Sequence, residues 1–305
     1  MKYRLLGRSG VPVSEIGLGG NQFGSTCDAR ATAAIVDRAL ALGVTFIDTA
    51  ESYGGGASEE VLGKALAGKR DQVVLASKTG APDQGPGGRL TRARLIARLE
   101  GSLTRLATDY VDVYYFHYPD PVTPLEESLR ALDELIRSGK VRYAATSNHA
   151  SWQVAEAAGI CAQRDYSAPV ASQVQYSLIE RSPENEMIPA CERFGVSLVP
   201  YSPLGSGFLT GKYRKGAPLP EGARLTRVER ARTTRFTDTN WAALERYDAF
   251  ATKRGHTVKE LAISWLLAQP VVCSVIAGVT SPAQVEENVK AAEWTLMPDE
   301  VRELG

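Results

Sequence analysis

Eight times along this chain a short apolar run, rich in β-branched and aromatic residues, stops and gives way to a polar or glycine-rich turn and then a helical pattern. The clearest case is Val44-Thr45-Phe46-Ile47-Asp48-Thr49-Ala50-Glu51-Ser52-Tyr53-Gly54. The run ends on a carboxylate, with a tyrosine five residues later and three glycines after it. Runs of this length read as buried strands. The others are Ile16 to Gly19, Val73 to Lys78, Val111 to His117, Arg142 to Thr146 (ending at Ser147-Asn148), Val170 to Gln175, Val196 to Tyr201 and Val272 to Ile276. Helical spacing fills the intervals. Ala31, Ile35, Val36, Ala39, Leu40 and Leu42 mark a helix from Ala29 that Gly43 ends. A helix over 57–67 opens on a Ser58 cap. Others run from Thr91 to Leu106, from Pro124 to near Ser138, from Ser151 onward, and from Pro183 to Phe194. Further helices cover 239–254, 257–268 and Pro282 to Ala291, with a last one from Pro298.

Strands alternating with helices imply parallel strands joined by crossover helices. Eight such units predict a closed (β/α)8 barrel, a TIM barrel. Arg8-Ser9-Gly10 between two short extended segments predicts an N-terminal β-hairpin in front of it. An open doubly wound sheet would want a phosphate turn of the GxGxxG type after its first strand, and Gly17-Leu18-Gly19-Gly20 fails that spacing. No composition shift or short repeat divides the chain, so residues 1–305 are expected to form one domain. The one long segment without regular spacing, 205–237, reads as polar loop.

Charge narrows the function. Lys+Arg 35 balances Asp+Glu 35, which argues against a nucleic-acid or membrane-surface protein. The apolar runs are far short of a membrane span. No signal region follows Met1, and Cys27, Cys161, Cys191 and Cys273 are scattered without a CxxC pair. A reducing, cytoplasmic setting is the expectation, without a disulfide framework or bound metal.

In such a barrel the chemistry sits at the C-terminal strand ends. The polar residues there are Asp48, Lys78, His117, Ser147-Asn148, Gln173 or Gln175, and Tyr201, with Tyr53 in the loop after the second barrel strand. Singly, each has a plainer reading. Asp48 fits a turn residue or helix cap, Lys78 a first solvated residue, His117 a satisfied turn histidine, and Tyr53 a packing ring. Together they put an acid, an amine, a phenol and an imidazole on one rim.

With those residues in place, the sequence resembles the aldo/keto reductases, specifically the longer-loop bacterial branch that is similar to potassium-channel β-subunit-like reductases. Phe46-Ile47-Asp48-Thr49-Ala50 with Tyr53-Gly54, Ser77-Lys78 and Phe116-His117-Tyr118-Pro119-Asp120 match the family's catalytic motifs in type and order. Gly139-Lys140-Val141-Arg142 with Ser147-Asn148, Val199 to Leu204, and Gly278 to Asn288 match its cofactor motifs. The resemblance spans about residues 3 to 300. It implies NADP(H)-dependent reduction of a small-molecule aldehyde or ketone to an alcohol. Tyr53 would be the general acid, Lys78 would lower its pKa from near ~10, Asp48 would hold Lys78, and His117 would orient the carbonyl.

By the same resemblance, Ser147, Asn148 and Gln173 hold the nicotinamide carboxamide and Tyr201 stacks on the ring. Ser202, Leu204, Gly205, Gly207, Leu209 and Lys212 wrap the pyrophosphate, and Gly20 and Asn21 also bind the cofactor. Gly278, Ser281, Gln284, Glu287 and Asn288 line the adenosine end. This chain departs from the best-known members there, because Ala277 to Asn288 has no basic residue until Lys290. Ser281 and the helix start after it are the expected 2′-phosphate site. NADP(H) is preferred, and NAD(H) use is allowed.

Residues 212–235 carry eight basic side chains (Lys212, Arg214, Lys215, Arg224, Arg227, Arg230, Arg232, Arg235) against Glu221 and Glu229. A cofactor or substrate clamp and a solvated loop fit equally. The 79–89 loop, with Gly80, Gly85, Gly87 and Gly88, reads as a substrate gate. His149 reads equally as a substrate contact or as a loop residue. The rival functions are a nicotinamide-binding regulatory subunit with little turnover and a metal-dependent hydrolase, the latter disfavoured by the lack of a His/Asp cluster. An oligomer is compatible with the sequence but not indicated by it.

Overall fold

The computed structural model describes residues 1–82 and 87–305. Strands β1 (Tyr3–Leu5) and β2 (Pro12–Ser14) form the expected antiparallel hairpin. The barrel then proceeds as β3 (Ile16–Gly19), helix α1 (Ala29–Ala41), β4 (Phe46–Asp48), α2 (Ala57–Ala65), β5 (Val74–Thr79), α3 (Arg92–Leu106), β6 (Val111–Phe116) and α4 (Leu125–Arg137). It continues with β7 (Val141–Ser147), α5 (Ser151–Arg164), β8 (Ala171–Gln175), α6 (Met187–Phe194) and β9 (Ser197–Tyr201). After two short helices, α7 (Arg224–Arg227) and α8 (Glu229–Arg235), come α9 (Asp238–Lys253), α10 (Val258–Leu267), β10 (Val275–Gly278), α11 (Pro282–Ala291) and α12 (Pro298–Glu303). No helix among the described residues is long and apolar enough to cross a membrane.

Eight parallel strands pair in the order β10-β3-β4-β5-β6-β7-β8-β9. The last gap is bridged where Leu198 pairs with Val272 and the Cys273 amide donates to the Leu198 carbonyl at 3.2 Å. That bridge explains a shift in the last strand. Val272 and Cys273 serve the seam with β9, and the ladder with β3 begins only at Val275.

Side chains alternate across a strand with period two. Phe46, Ala76, Val113, Tyr115, Ala145, Ala171 and Val199 form one buried cluster inside the barrel. Their neighbours Ile47, Leu75, Tyr114, Phe116, Ala144 and Leu198 belong to the cluster between strands and helices. Leu6 and Val13 of the hairpin, both 0% exposed, join the inner cluster and plug the N-terminal end of the barrel. Arg4 ties this plug to the wall, donating to the carbonyls of Leu267 at 2.6 Å and Val272 at 2.8 Å.

Three local expectations are corrected. Ser58 is not a helix cap: α2 is capped at Gly56, and the Ser58 hydroxyl donates to the Gly20 carbonyl at 2.8 Å. The expected helix from Pro183 breaks into a 3₁₀ turn, Ser182–Glu184, followed by α6. Segment 205–237 is not a featureless loop. It holds a 3₁₀ stretch, Gly205–Thr210, and then α7 and α8. Scattered apolar residues anchor it: Phe208 meets Trp241 at 4.8 Å between ring centroids, Tyr213 meets Phe236 at 5.6 Å, and Leu225 is fully buried. Their spacing matches neither period, so charge dominated the sequence pattern.

Candidate active site

The period-two rule carries directly into the site. Asp48, Lys78, His117, Ser147, Gln173 and Tyr201 each lie two residues beyond an inner-cluster residue: Phe46, Ala76, Tyr115, Ala145, Ala171 and Val199. The same alternation that fills the barrel therefore carries each of these polar side chains to its C-terminal mouth.

At the floor of that mouth Lys78, 0% exposed, donates from Nζ to Asp48 Oδ1, to the Thr49 carbonyl at 2.9 Å and to Tyr53 Oη at 3.1 Å. All three ammonium protons are thus assigned. Asp48 Oδ2 accepts from Gln173 Nε2 at 2.9 Å. Burial works against the Lys78 charge, but Asp48 and Tyr53 outweigh it and hold its pKa above the usual lysine range. Burial also dominates at Tyr53. It pushes the phenol above its ordinary value although Lys78 pulls the other way. This corrects the expectation of a net lowering. His117 is driven down to about 3, by burial first and by the Lys78 charge second, so its imidazole is neutral. Its ring lies 5.8 Å from that of Tyr53, stacks on Tyr118 at 4.8 Å, and has Nδ1 buried without a partner among the described residues.

Above this floor opens a cavity of about 770 Å³. Gly20, Asn21, Ser147, Asn148, Gln173, Tyr201, Ser202, Leu204, Gly207, Lys212, Gly278, Gln284, Glu287 and Asn288 line it together with Asp48, Tyr53 and His117. Four sequence-derived residues do not line it, among them Leu209, which is 0% exposed and packed in the core. Lys78 is beneath the floor, and Gly205 is packed against Ile179. Ser281 caps α11 by accepting from the Gln284 amide. His149 also faces away from the cavity: its Nδ1–H donates to the Ser147 carbonyl at 2.8 Å and its ring stacks on Phe116. The expected gate falls partly on residues 83–86, outside the described residues, while Ala81 and Pro82 line the cavity.

The backbone is bent to shape this wall. Asn148, Ser202 and Ser206, all lining residues, sit at φ of 57°, 55° and 60°, a region that costs non-glycine residues on the order of 1 kcal/mol or more and clusters at functional sites. Asn148 is held there by donating to the His117 carbonyl at 2.9 Å and accepting from the Tyr201 hydroxyl at 2.6 Å. The sequence motifs missed Gln22 and Lys259, contained Tyr118 without giving it a role, and gave Arg224 and Arg227 only as part of a charged stretch; all five line the cavity. Lys259 lies outside every motif, so only the packing of α10 reveals it.

Among the described residues no cluster of His, Cys, Asp and Glu is arranged to hold a metal ion. A parallel eight-stranded barrel whose mouth holds a buried carboxylate, amine and imidazole with a partly buried phenol beneath a deep cavity of mixed lining is the architecture of a barrel oxidoreductase. The chain belongs to the aldo/keto reductase family, whose family model matches residues 15–305, and is an enzyme of carbonyl reduction in the broad sense of that family. It is 36% identical over 300 residues to the probable voltage-gated potassium channel subunit beta of Oryza sativa subsp. japonica, covering 96% of this chain and 92% of that one. The aldo-keto reductase YhdN of Bacillus subtilis (strain 168) is 32% identical, with 100% and 93% covered. The L-glyceraldehyde 3-phosphate reductase of Escherichia coli (strain K12) is 32% identical, with 95% and 87% covered.

Proposed function

We propose that this protein reduces an aldehyde or ketone to the alcohol with NADPH, and that Tyr53 is the general acid. The hydrogen-bonded line Asp48–Lys78–Tyr53 at the floor of the cavity carries this reading. Reduction of a carbonyl needs a hydride at carbon and a proton at oxygen. When bound, the nicotinamide cofactor supplies the hydride.

The cavity fits such a group. Asn21 Oδ1 and Asn288 Oδ1 are buried without partners among the described residues, and both side chains line the wall. Lys212, Arg224 and Arg227 line it without a hydrogen bond or ion pair from their side chains among the described residues. Gly207 and Gly278 line the cavity without a side chain, and a Cβ at Gly278 would crowd Asn21 Oδ1 at 2.8 Å. Ser147, Asn148 and Gln173 supply amide and hydroxyl groups for the carboxamide, and Tyr201 offers its ring. Fewer charges in the 278–288 motif than in the best-known members leave NADH as a second, weaker cofactor.

A phenol with a raised pKa keeps its proton through the neutral range, as a donor must. Lys78, charged and fixed by Asp48, stabilises the phenolate as the proton leaves. That interaction strengthens as the reaction proceeds, which is where catalysis is made. Neutral His117 donates to the carbonyl oxygen and orients it beside the phenol.

The similarity to a potassium-channel β subunit supports a second reading, a nicotinamide-binding regulatory subunit with little turnover. Following NADPH consumption with 4-nitrobenzaldehyde separates the two. Steady turnover is expected; cofactor binding without turnover on a panel of carbonyls overturns the enzymatic reading.

A further inference from the structure

One cation at the adenosine end belongs to no sequence motif. Lys259 is the second residue of α10, and its side chain is only 15% exposed. Its ammonium reaches Glu287 Oε2 of α11 at 2.7 Å, and both residues line the cavity.

This is an unfavourable place for a positive charge. The first turn of a helix is the positive end of its dipole. Lys212, on the adjoining wall, has its pKa pushed down by burial and then by Lys259 itself. Arg224 and Arg227 add two more cations to the same lining. Against these four the lining offers Glu287 alone, because Asp48 is taken up by Lys78. Beside Glu287, Asn288 is 3% exposed with its Oδ1 unpartnered among the described residues. Such a wall is relieved by an anion.

We propose that Lys259 selects a nucleotide bearing a 2′-phosphate over one ending in a free 2′-hydroxyl. The inference rests on the cofactor reading above. Loop and helix 278–288 contain no base, so the charge facing the phosphate comes from α10 instead. Glu287 holds the Lys259 ammonium at the cavity wall, and its carboxylate can accept a ribose hydroxyl without help from Lys259. The pyrophosphate, common to both nucleotides, is left to Lys212, whose Nζ lies 3.7 Å from where a Cβ of Gly207 would be.

The test is the Kd of NADPH and of NADH, measured by fluorescence titration on wild type, Lys259→Met and Lys259→Arg. Loss of one charge-assisted contact to phosphate weakens NADPH by about tenfold or more in Lys259→Met. NADH binding stays unchanged, and Lys259→Arg restores most of the NADPH affinity. An equal loss for both nucleotides, or no loss for either, overturns the inference. A wild type that binds neither nucleotide defeats the cofactor reading itself. A wild type that binds NADPH but is indifferent to Lys259→Met defeats only the role of Lys259.

Discussion

Gln173 donates its side-chain amide to Asp48 Oδ2 at 2.9 Å, so the residue proposed to hold the cofactor amide also braces the buried carboxylate. With Oδ1 on Lys78, both oxygens of Asp48 are engaged and the side chain is 2% exposed. Asp48→Asn keeps the shape but leaves the Lys78 ammonium buried without a counter-charge. Breaking a buried pair from one side costs about 3–5 kcal/mol. Urea unfolding of the variant should show a midpoint lowered to match, with kcat falling as well. An unchanged midpoint would mean that the pair is not held as described.

His117 predicts a pH signature in stability. Its pKa falls from 6.5 to about 3 on folding, through burial and then Lys78. Below pH 6.5 the unfolded chain takes up a proton that the folded one refuses until about pH 3. The folded state therefore loses stability as pH falls across that window, by linkage. His117→Gln removes this component. Its unfolding midpoint should fall less than that of wild type between neutral pH and the acid end of the window. Parallel midpoints in the two proteins would contradict a buried neutral imidazole.

Gly63 predicts the sign of a stability change. Alanine inside a helix is ordinarily better than glycine by about 0.5–1 kcal/mol. At Gly63 of α2 a Cβ would meet the Arg105 carbonyl oxygen and the Leu106 carbonyl, all at 2.7 Å. Backbone cannot yield as a side-chain tip does, so Gly63→Ala should destabilise by about 1–3 kcal/mol. A raised Tm would show that α2 and α3 are not so closely packed.

Much of this site was legible because two periodicities coincide. Phe46 and Asp48, Ala76 and Lys78, Tyr115 and His117 are each two apart on a strand, so the pattern that marks the core also marks which polar residue follows it into the barrel mouth. Residues brought in by packing left no such trace. Lys259 belongs to a helix whose sequence announces only its cap and its apolar face. Phe208, Tyr213, Leu225 and Phe236 anchor 205–237 without a regular spacing, and the charges between them read as loop. Ser58 has the chemistry of a cap, but its hydroxyl is spent on Gly20. Lys78 does pull the Tyr53 phenol down, as its charge implies, yet burial, which no sequence displays, outweighs it.

Tyr53, whose Oη lies 3.1 Å from Lys78 Nζ, is the proposed proton donor. The most direct measurement is kcat for NADPH-dependent carbonyl reduction by Tyr53→Phe, with the NADPH Kd measured on the same preparation. Loss of a general acid should lower kcat by about 10²–10⁴-fold while cofactor affinity stays at the wild-type value. A variant that binds NADPH normally and keeps a near wild-type kcat would contradict it.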